Sequence, residues 1–392
     1  MTSARLPRDL SPNAATRLLI TLREQGIRVT DLTESNPTRV GLSYPEDLLT
    51  PLASPRALAY DPLPLGLLAA RTAVSSDFAR RGLDVAAERI ALTASTSEAY
   101  ALLFKLLCDP GDAVLVPQPS YPLFDHLTAL ESVRATPYRL EYHGTWRIDV
   151  DDLQRAVDHS TRALLIVSPN NPTGSFLHSD DLVAVAQLCA QHDLVLIGDE
   201  VFADYPLDAS PRAVSVLQAA DIPTCSLGGL SKSMGLPQLK LGWIGFGGPT
   251  GTVATLMDAY EVVADTYLSV STPVQAALPE LLTHALPLRQ QIQTRLERNL
   301  VALRAAATAV PEVRVLRVEG GWSAVLQVPA YESEEAMVLD LLEHDHVLVH
   351  PGYFFDFDRE AFLIVSLVVE PAAFDEAVAR VLSRVSRPGF RA

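Results

Sequence analysis

Cysteine is scarce in this chain: Cys108, Cys189 and Cys225 are the three among 392 residues. They are odd in number, widely spaced and set among apolar residues such as Leu106-Leu107 and Val185-Ala186. That pattern reads as buried free thiols, excludes a disulfide framework and a metal site, and points to a reducing compartment. Positive charge is also short, with 31 Lys and Arg against 47 Asp and Glu, a formal net charge of −16, and no dense basic run. Such a field repels phosphate backbones and anionic lipid, so nucleic-acid and membrane partners are not expected. Missing too is any stretch near the roughly 18 apolar residues that a bilayer-spanning helix needs. Met1-Thr2-Ser3-Ala4-Arg5-Leu6-Pro7 leads into no apolar core of signal-peptide length, and the expected location is cytoplasmic. No G-x-G-x-x-G follows the first strand, which sets aside a plain dinucleotide-binding domain.

What is present is an ordinary globular composition, 48% hydrophobic and 20% charged, in a length that suits two packed domains. From about Arg89 to Phe246, short apolar runs alternate with helix-like stretches: Arg89-Ile90-Ala91-Leu92, Ala113-Val114-Leu115-Val116, Ala163-Leu164-Leu165-Ile166-Val167, Leu194-Val195-Leu196-Ile197 and Leu241-Gly242-Trp243-Ile244. Continuous apolar strands separated by helices predict an α/β fold, a mostly parallel sheet sandwiched by helices, with ligands collecting beyond the strand C-termini. The helix expected from Ser95 to Cys108 carries Ala99, Leu102, Leu103 and Leu106 on one stripe and stops at Asp109-Pro110-Gly111-Asp112. The tail reads differently: a long helix with Arg289, Arg295, Arg298 and Arg304 on its solvated side, then strands at Val313-Arg314-Val315 and Ala324-Val325-Leu326, then a last helix near Asp375 to Val385. This predicts a smaller α+β domain formed by the N- and C-terminal parts. The expected division is 1–50 as an N-terminal segment packing with the small domain, 51–280 as the large domain and 281–392 as the small one.

Four chemical signals stand in one order. Thr93-Ala94-Ser95-Thr96-Ser97-Glu98 follows a strand and opens a helix, so free backbone N–H groups and hydroxyls converge where an anion can bind, although Ser95 and Glu98 also spell a plain capping box. Ser168-Pro169-Asn170-Asn171-Pro172-Thr173-Gly174 is a tight loop at a strand end that aims an amide over the sheet edge, or an ordinary Asn-Pro turn. Asp199 ends an apolar strand, where an unpaired carboxylate costs several kcal/mol and calls for a cation; a structural ion pair is the alternative. Lys232, in Ser231-Lys232-Ser233-Met234-Gly235, follows an apolar strand and two glycines, a setting for a Schiff-base lysine rather than a solvated one. An amine that condenses with an aldehyde, downstream of an acid that keeps a pyridine nitrogen protonated, is pyridoxal-phosphate chemistry.

Together with Asn36-Pro37, Tyr60, Pro119-Ser120-Tyr121-Pro122 and His350-Pro351-Gly352, these motifs resemble the class I/II aminotransferase family of fold-type I pyridoxal-phosphate enzymes, over nearly the whole chain. The resemblance implies that Lys232 carries the internal aldimine, Asp199 pairs with the pyridinium and Asn171 bonds the ring phenolate oxygen. It implies that Tyr121 stacks on the ring, that Ser95, Thr96, Ser97 and Ser231 hold the phosphate, and that Tyr60 reaches the phosphate in a neighbouring subunit of a homodimer. It also implies an amino donor and a 2-oxo acid acceptor, with no metal.

Departures from the family pattern bear on substrate. Phe202 stands where a tyrosine usually bonds the phenolate oxygen, Lys240 where an arginine usually grips the phosphate, and Gly229 where a hydroxyl often lies. Ile364 falls where an arginine usually clamps the substrate α-carboxylate, a bidentate contact that orients Cα–H for cleavage. Asn36, Arg39 and Arg359 are the residues taken as substrate contacts in its place, while Tyr353-Phe354-Phe355 lines a pocket or belongs to the core. Transamination is the expected reaction. The alternatives are a lyase or cyclase acting on a specialised amino substrate, and a non-catalytic cofactor-binding homologue such as a regulator, for which no separate N-terminal DNA-binding stretch is seen.

Overall fold

In the computed structural model, residues 3–208 and 213–386 are described. The strands, in chain order, are β1 (Thr30–Asp31), β2 (Ile90–Thr93), β3 (Ala113–Gln118), β4 (Arg134–Tyr142), β5 (Trp146–Ile148), β6 (Thr161–Val167) and β7 (Val195–Asp199). They continue with β8 (Thr224–Gly229), β9 (Gly242–Gly247), β10 (Arg314–Val315), β11 (Ser323–Gln327), β12 (Val347–Leu348), β13 (His350–Pro351) and β14 (Phe362–Ser366). The large sheet has eight strands in the order β2-β9-β8-β7-β6-β3-β4-β5. β8, β7, β6, β3 and β4 run parallel; β9 is antiparallel to both of its neighbours and β5 closes the far edge antiparallel to β4. The central strands are buried along most of their length, which is why their sequences are nearly continuous apolar runs rather than alternating ones. One apolar layer, with Leu103, Phe104 and Tyr260, covers one face, and another, with Leu153, Leu182, Val185 and Leu188, covers the other.

Helix Thr96–Leu107 begins where the sequence predicts: the Ser95 side chain accepts from Glu98 N at 3.1 Å, capping the first turn. The Glu98 carboxylate reaches back to Ala94 N at 2.6 Å and takes a further bond from Ser269 Oγ at 2.7 Å.

A second sheet, β10-β11-β14-β13, lies against the last helix, Pro371–Val385, and against the long helix Ala285–Ala307. β1 pairs in parallel with β12, and Leu32 is buried among the residues of this smaller core, so the N-terminal segment packs with the C-terminal part. This packing supports our proposed division into 51–280 and the units on either side of it. Along Ala285–Ala307 the buried residues Leu288, Ile292, Leu296, Leu300 and Leu303 form the helical stripe. The four arginines expected on the opposite, solvated side of this helix divide. Arg298 and Arg304 are exposed and Arg295 is half-buried, donating to Val40 O at 2.9 Å. Arg289 is buried, because Asp77 and Asp204 wait for it inside: its guanidinium lies 2.9 Å from Asp77 Oδ1 and 3.2 Å from Asp204 Oδ2. No helix among the described residues is long and apolar enough to cross a membrane.

Candidate active site

The chemistry-bearing segments all leave the sheet at the C-terminal ends of its parallel strands or, for β2, at the matching end across β9. β2 ends at Thr93 and opens the Ser95-Thr96-Ser97 turn; β3 ends at Gln118 and leads to Tyr121; β6 ends at Val167 and leads to Asn170-Asn171; β7 ends on Asp199; β8 ends at Gly229 and leads to Lys232. Lateral register brings them into one row. Gly242 pairs with both Thr93 and Gly229, while Asp199 pairs with Val167 and Leu227. A side chain at Gly242 would meet Thr93 Oγ1 at 3.1 Å and the Ser95 carbonyl carbon at 3.2 Å. A Cβ there would make these neighbours give by a few tenths of an ångström, so the glycine suits the close approach of the helix N-terminus to β9, the strand beside β8.

Asp199 is the acid of this row. Burial pushes its carboxyl above the ordinary range, against the hydrogen bonds that Tyr100 and the Val201 backbone give it. Tyr100 Oη donates to Oδ2 at 2.7 Å and Val201 N donates to Oδ1 at 3.2 Å. Lys232 is the base. Its Nζ lies 5.0 Å from the Trp322 ring centroid and 5.5 Å from that of Phe202, and among the described residues it has no hydrogen-bond or ion-pair partner. Desolvation lowers its ammonium to about 8, with the Asp199 charge opposing. The backbone beneath is fixed by Tyr205, whose hydroxyl donates to Lys232 O at 2.9 Å and Ser233 O at 2.8 Å.

The loop after β6 is built on Asn170, not Asn171. Asn170 is buried, donating from Nδ2 to Pro119 O at 3.1 Å and Thr173 Oγ1 at 2.8 Å, and accepting from Ser120 Oγ at 2.9 Å. That ties the Asn loop to the Tyr121 loop. The Asn171 amide nitrogen has no hydrogen-bond partner among the described residues, while its Oδ1 accepts from Ser323 Oγ of the small sheet at 3.2 Å. Tyr121 is half-exposed; partial burial and the negative Asp199 both raise its phenol, so the ring stands within electrostatic reach of the acid. The hydroxyls of Thr96, Ser97 and Ser231 have no partner among the described residues.

Other expected residues lie outside this cluster. Tyr60 is 75% exposed, in a surface depression with Leu63, Leu102 and Leu268, away from Lys232 of its own chain. Lys240 is exposed, two residues before Gly242, in a left-handed backbone turn. Asn36 caps the short turn Pro37–Arg39, and Pro37 lies against Gly235, three residues after Lys232; Arg39 is exposed, its guanidinium without a partner among the described residues. Arg359 lies over the Phe362 ring at 5.4 Å, in an outer cleft with Arg139 and Trp146. Ile364 is buried with Val325, Phe355, Phe362 and Trp146, on the face of β14 that also carries Ser366 opposite Ser323. The position expected for a carboxylate clamp is therefore apolar and packed.

Comparison with known proteins decides the family. Residues 53–381 match the model of aminotransferase class I and II. The chain belongs to that family. It is 28% identical over 356 residues to the glutamate-pyruvate aminotransferase AlaA of Escherichia coli (strain K12), with 88% of each chain covered. Against the alanine aminotransferase of Mycobacterium tuberculosis (strain H37Rv) it is 27% identical over 373 residues, covering 91% of this chain and 85% of the other. Among solved structures, an aminotransferase from Escherichia coli superposes with a TM-score of 0.88 at 25% identity over 98% of both chains. The alanine aminotransferase of Pyrococcus furiosus gives 0.87 at 24% identity, over 98% of this chain and 99% of that one. This class I/II aminotransferase is a fold-type I, pyridoxal-phosphate-dependent transaminase that moves an amino group between an amino acid and a 2-oxo acid.

Sequence reasoning missed Tyr100, Trp322, Ser323 and the Arg289 to Ser233 contact. Tyr100 carried a usable signal, since it shares the buried helix face with Leu103 and Phe104, where a phenol has to find a partner. Trp322 and Ser323 carried none, because they reach the site from another sheet.

Proposed function

We propose that this aminotransferase holds its cofactor through Lys232 and Asp199 at the C-terminal edge of the large sheet, with Ser95, Thr96, Ser97 and Ser231 on the phosphate, Lys240 beside it, Asn171 on the phenolic oxygen and Tyr121 over the ring. The observation that carries this reading is a pair of largely desolvated groups: an amine set between two aromatic faces with the Asp199 charge at longer range, and a carboxylate bonded by neutral donors with no salt bridge among the described residues. The donors present fit the group, an amine for its aldehyde, an acid for its pyridine nitrogen and free hydroxyls at a helix N-terminus for its phosphate. When bound, pyridoxal phosphate supplies the electron sink that makes the Cα–H bond of an amino acid acidic. Lys232, its amine depressed toward neutral pH, would take the Cα proton of a bound donor and give it back. Phe202 and Trp322 exclude water around that amine.

Substrate preference follows from Ile364. Without an arginine at that position the α-carboxylate is held elsewhere, and Arg39, exposed two residues after the Pro37 that lies against Gly235, is the group we assign to it, with Asn36 and Arg359 as flanking contacts. The relatives named for alanine, glutamate and tyrosine set the first donors to assay, with pyruvate as first acceptor. We further infer a homodimer, since Leu58, Tyr60 and Leu68 expose apolar surface that a second copy would cover. The test is direct: purified protein with added cofactor shows a visible band that is lost in Lys232→Ala, bleached by a donor and restored by a 2-oxo acid. A donor consumed without bleaching would instead favour a lyase or cyclase outcome.

A further inference from the structure

Tyr100 stands one turn into helix Thr96–Leu107, five residues after the cap Ser95, so the same helix that opens at the hydroxyl turn also reaches the acid of the site. Its ring is 3% exposed, edge-on to Phe124 at 5.5 Å and tilted against Phe104 at 6.0 Å, which leaves its hydroxyl one direction to point. That direction is Asp199 Oδ2, at 2.7 Å. Burial, with the Asp199 charge adding, pushes the phenol well above its ordinary range, so Tyr100 stays a neutral donor at any working pH. The second oxygen, Oδ1, takes only the longer bond from Val201 N at 3.2 Å. Among the described residues Asp199 forms no salt bridge.

We propose that Tyr100 is a positioning residue for the transamination, whose hydrogen bond keeps Asp199 ionised and turned so that its remaining lone pairs meet the pyridine nitrogen of the cofactor. This rests on Asp199 being the partner of that nitrogen. The physical ground is a competition. A desolvated carboxylate gains by taking up a proton, and once neutral it offers the ring nitrogen no charge. A donor on Oδ2 favours the ionised form and fixes the plane of the group.

Tyr100→Phe removes one oxygen and keeps the packed ring, so the role is read by ligand choice. Apoprotein of wild type and variant is titrated with pyridoxal phosphate and with its carbocyclic analogue, in which a C–H replaces the ring nitrogen. A hydrogen bond to a buried charge is worth about a factor of ten or more in binding. The expected result is a Kd for pyridoxal phosphate raised about tenfold, with the analogue changed less than about twofold. An equal loss for both ligands, or none for pyridoxal phosphate, overturns the proposal. Adding Tyr100→Phe to Asp199→Ala gives the second arm: affinity stays within about twofold of Asp199→Ala alone, and a further tenfold loss would show that Tyr100 merely supports the fold. Wild-type apoprotein that forms no visible band at Lys232 refutes the parent assignment itself, whereas a normal wild-type band with an unaltered Tyr100→Phe titration refutes this one alone.

Discussion

Ser233, the residue after Lys232, takes two hydrogen bonds from Arg289, at 2.6 Å from Nη2 and 3.1 Å from Nε, and passes its own proton to Asp204 Oδ2 at 2.6 Å. Arg80 closes the network from outside, 3.0 Å from Asp77 and 2.5 Å from Asp204. A helix that runs on into the small domain therefore holds the lysine turn through a buried guanidinium. Removing one partner from such a cluster strands the others. Arg289→Ala should lower stability by about 3 kcal/mol, read as a fall in the urea midpoint at unchanged slope. Arg289→Lys should recover less than half of that, because an ammonium lacks the fork that bridges Asp77, Asp204 and Ser233. A variant as stable as wild type would show that the cluster is not the clamp described.

Lys232 makes the capture of cofactor pH-dependent. The attacking form is the free amine, and desolvation sets its conversion at about 8. At pH 7 roughly a tenth of the apoprotein carries that form, so the rate of covalent capture should rise about tenfold as pH rises through this range and then level off. In Asp199→Asn the midpoint should move to lower pH, since the lost carboxylate was favouring the ammonium. Stopped-flow absorbance across pH 6 to 10 checks both; a midpoint near the ordinary 10.5 would remove the idea of a desolvated amine.

How much of this was legible in sequence depends on the range of the contact. The strands of the large sheet, the cap at Ser95 and the order of Asn171, Asp199 and Lys232 were readable because each signal is local: an apolar run, a capping pair, a turn at a strand end. Arg289 was misplaced because helical periodicity assigns a charged residue to solvent unless its partners are known. Asp77 and Asp204 lie far away in the chain. Tyr100 was passed over for the same reason, since the acid that explains its hydroxyl is ninety-nine residues downstream.

His350 pairs with Ile364 across β13 and β14 and therefore shares its face of the small sheet, where the His350 ring stacks on Phe354 at 4.7 Å. Burial lowers its imidazole to about 4, with Asp31 opposing. The unfolded chain binds the proton at the ordinary 6.5, so between these values the unfolded state holds more protons and folding stability falls as pH drops. Relative to His350→Phe, which keeps the stack without the titration, wild type should lose about 2 kcal/mol between pH 7 and pH 4. Urea melts of both proteins at several pH values measure the difference, and parallel curves would mean that the imidazole is solvated.

Ile364 tests whether the missing clamp can be restored. Its side chain is 2% exposed among Val325, Phe355, Phe362 and Trp146, with no acid bonded nearby to receive a guanidinium. Ile364→Arg should therefore cost about 3 kcal/mol or more of stability, a buried charge without a partner. A KM for alanine or glutamate lowered tenfold at unchanged Tm would show instead that the arginine reaches the cleft.

Phe202 has the most specific consequence. Its ring is 9% exposed, 5.5 Å from both Lys232 Nζ and the Trp322 centroid, at the position where the family resemblance leads one to expect a tyrosine. On the proposed placement of the cofactor, a hydroxyl added there would bond the ring's phenolic oxygen and favour the deprotonated form of the bound chromophore. One hydrogen bond contributes on the order of 1 kcal/mol, which corresponds to a fall of about one pH unit in the midpoint of the visible band. Phe202→Tyr titrated beside wild type, with Lys232→Ala as the band-free control, reads the shift without reference to turnover. An unchanged or higher midpoint would place Phe202 away from that oxygen and leave the substitution as packing against Trp322 alone.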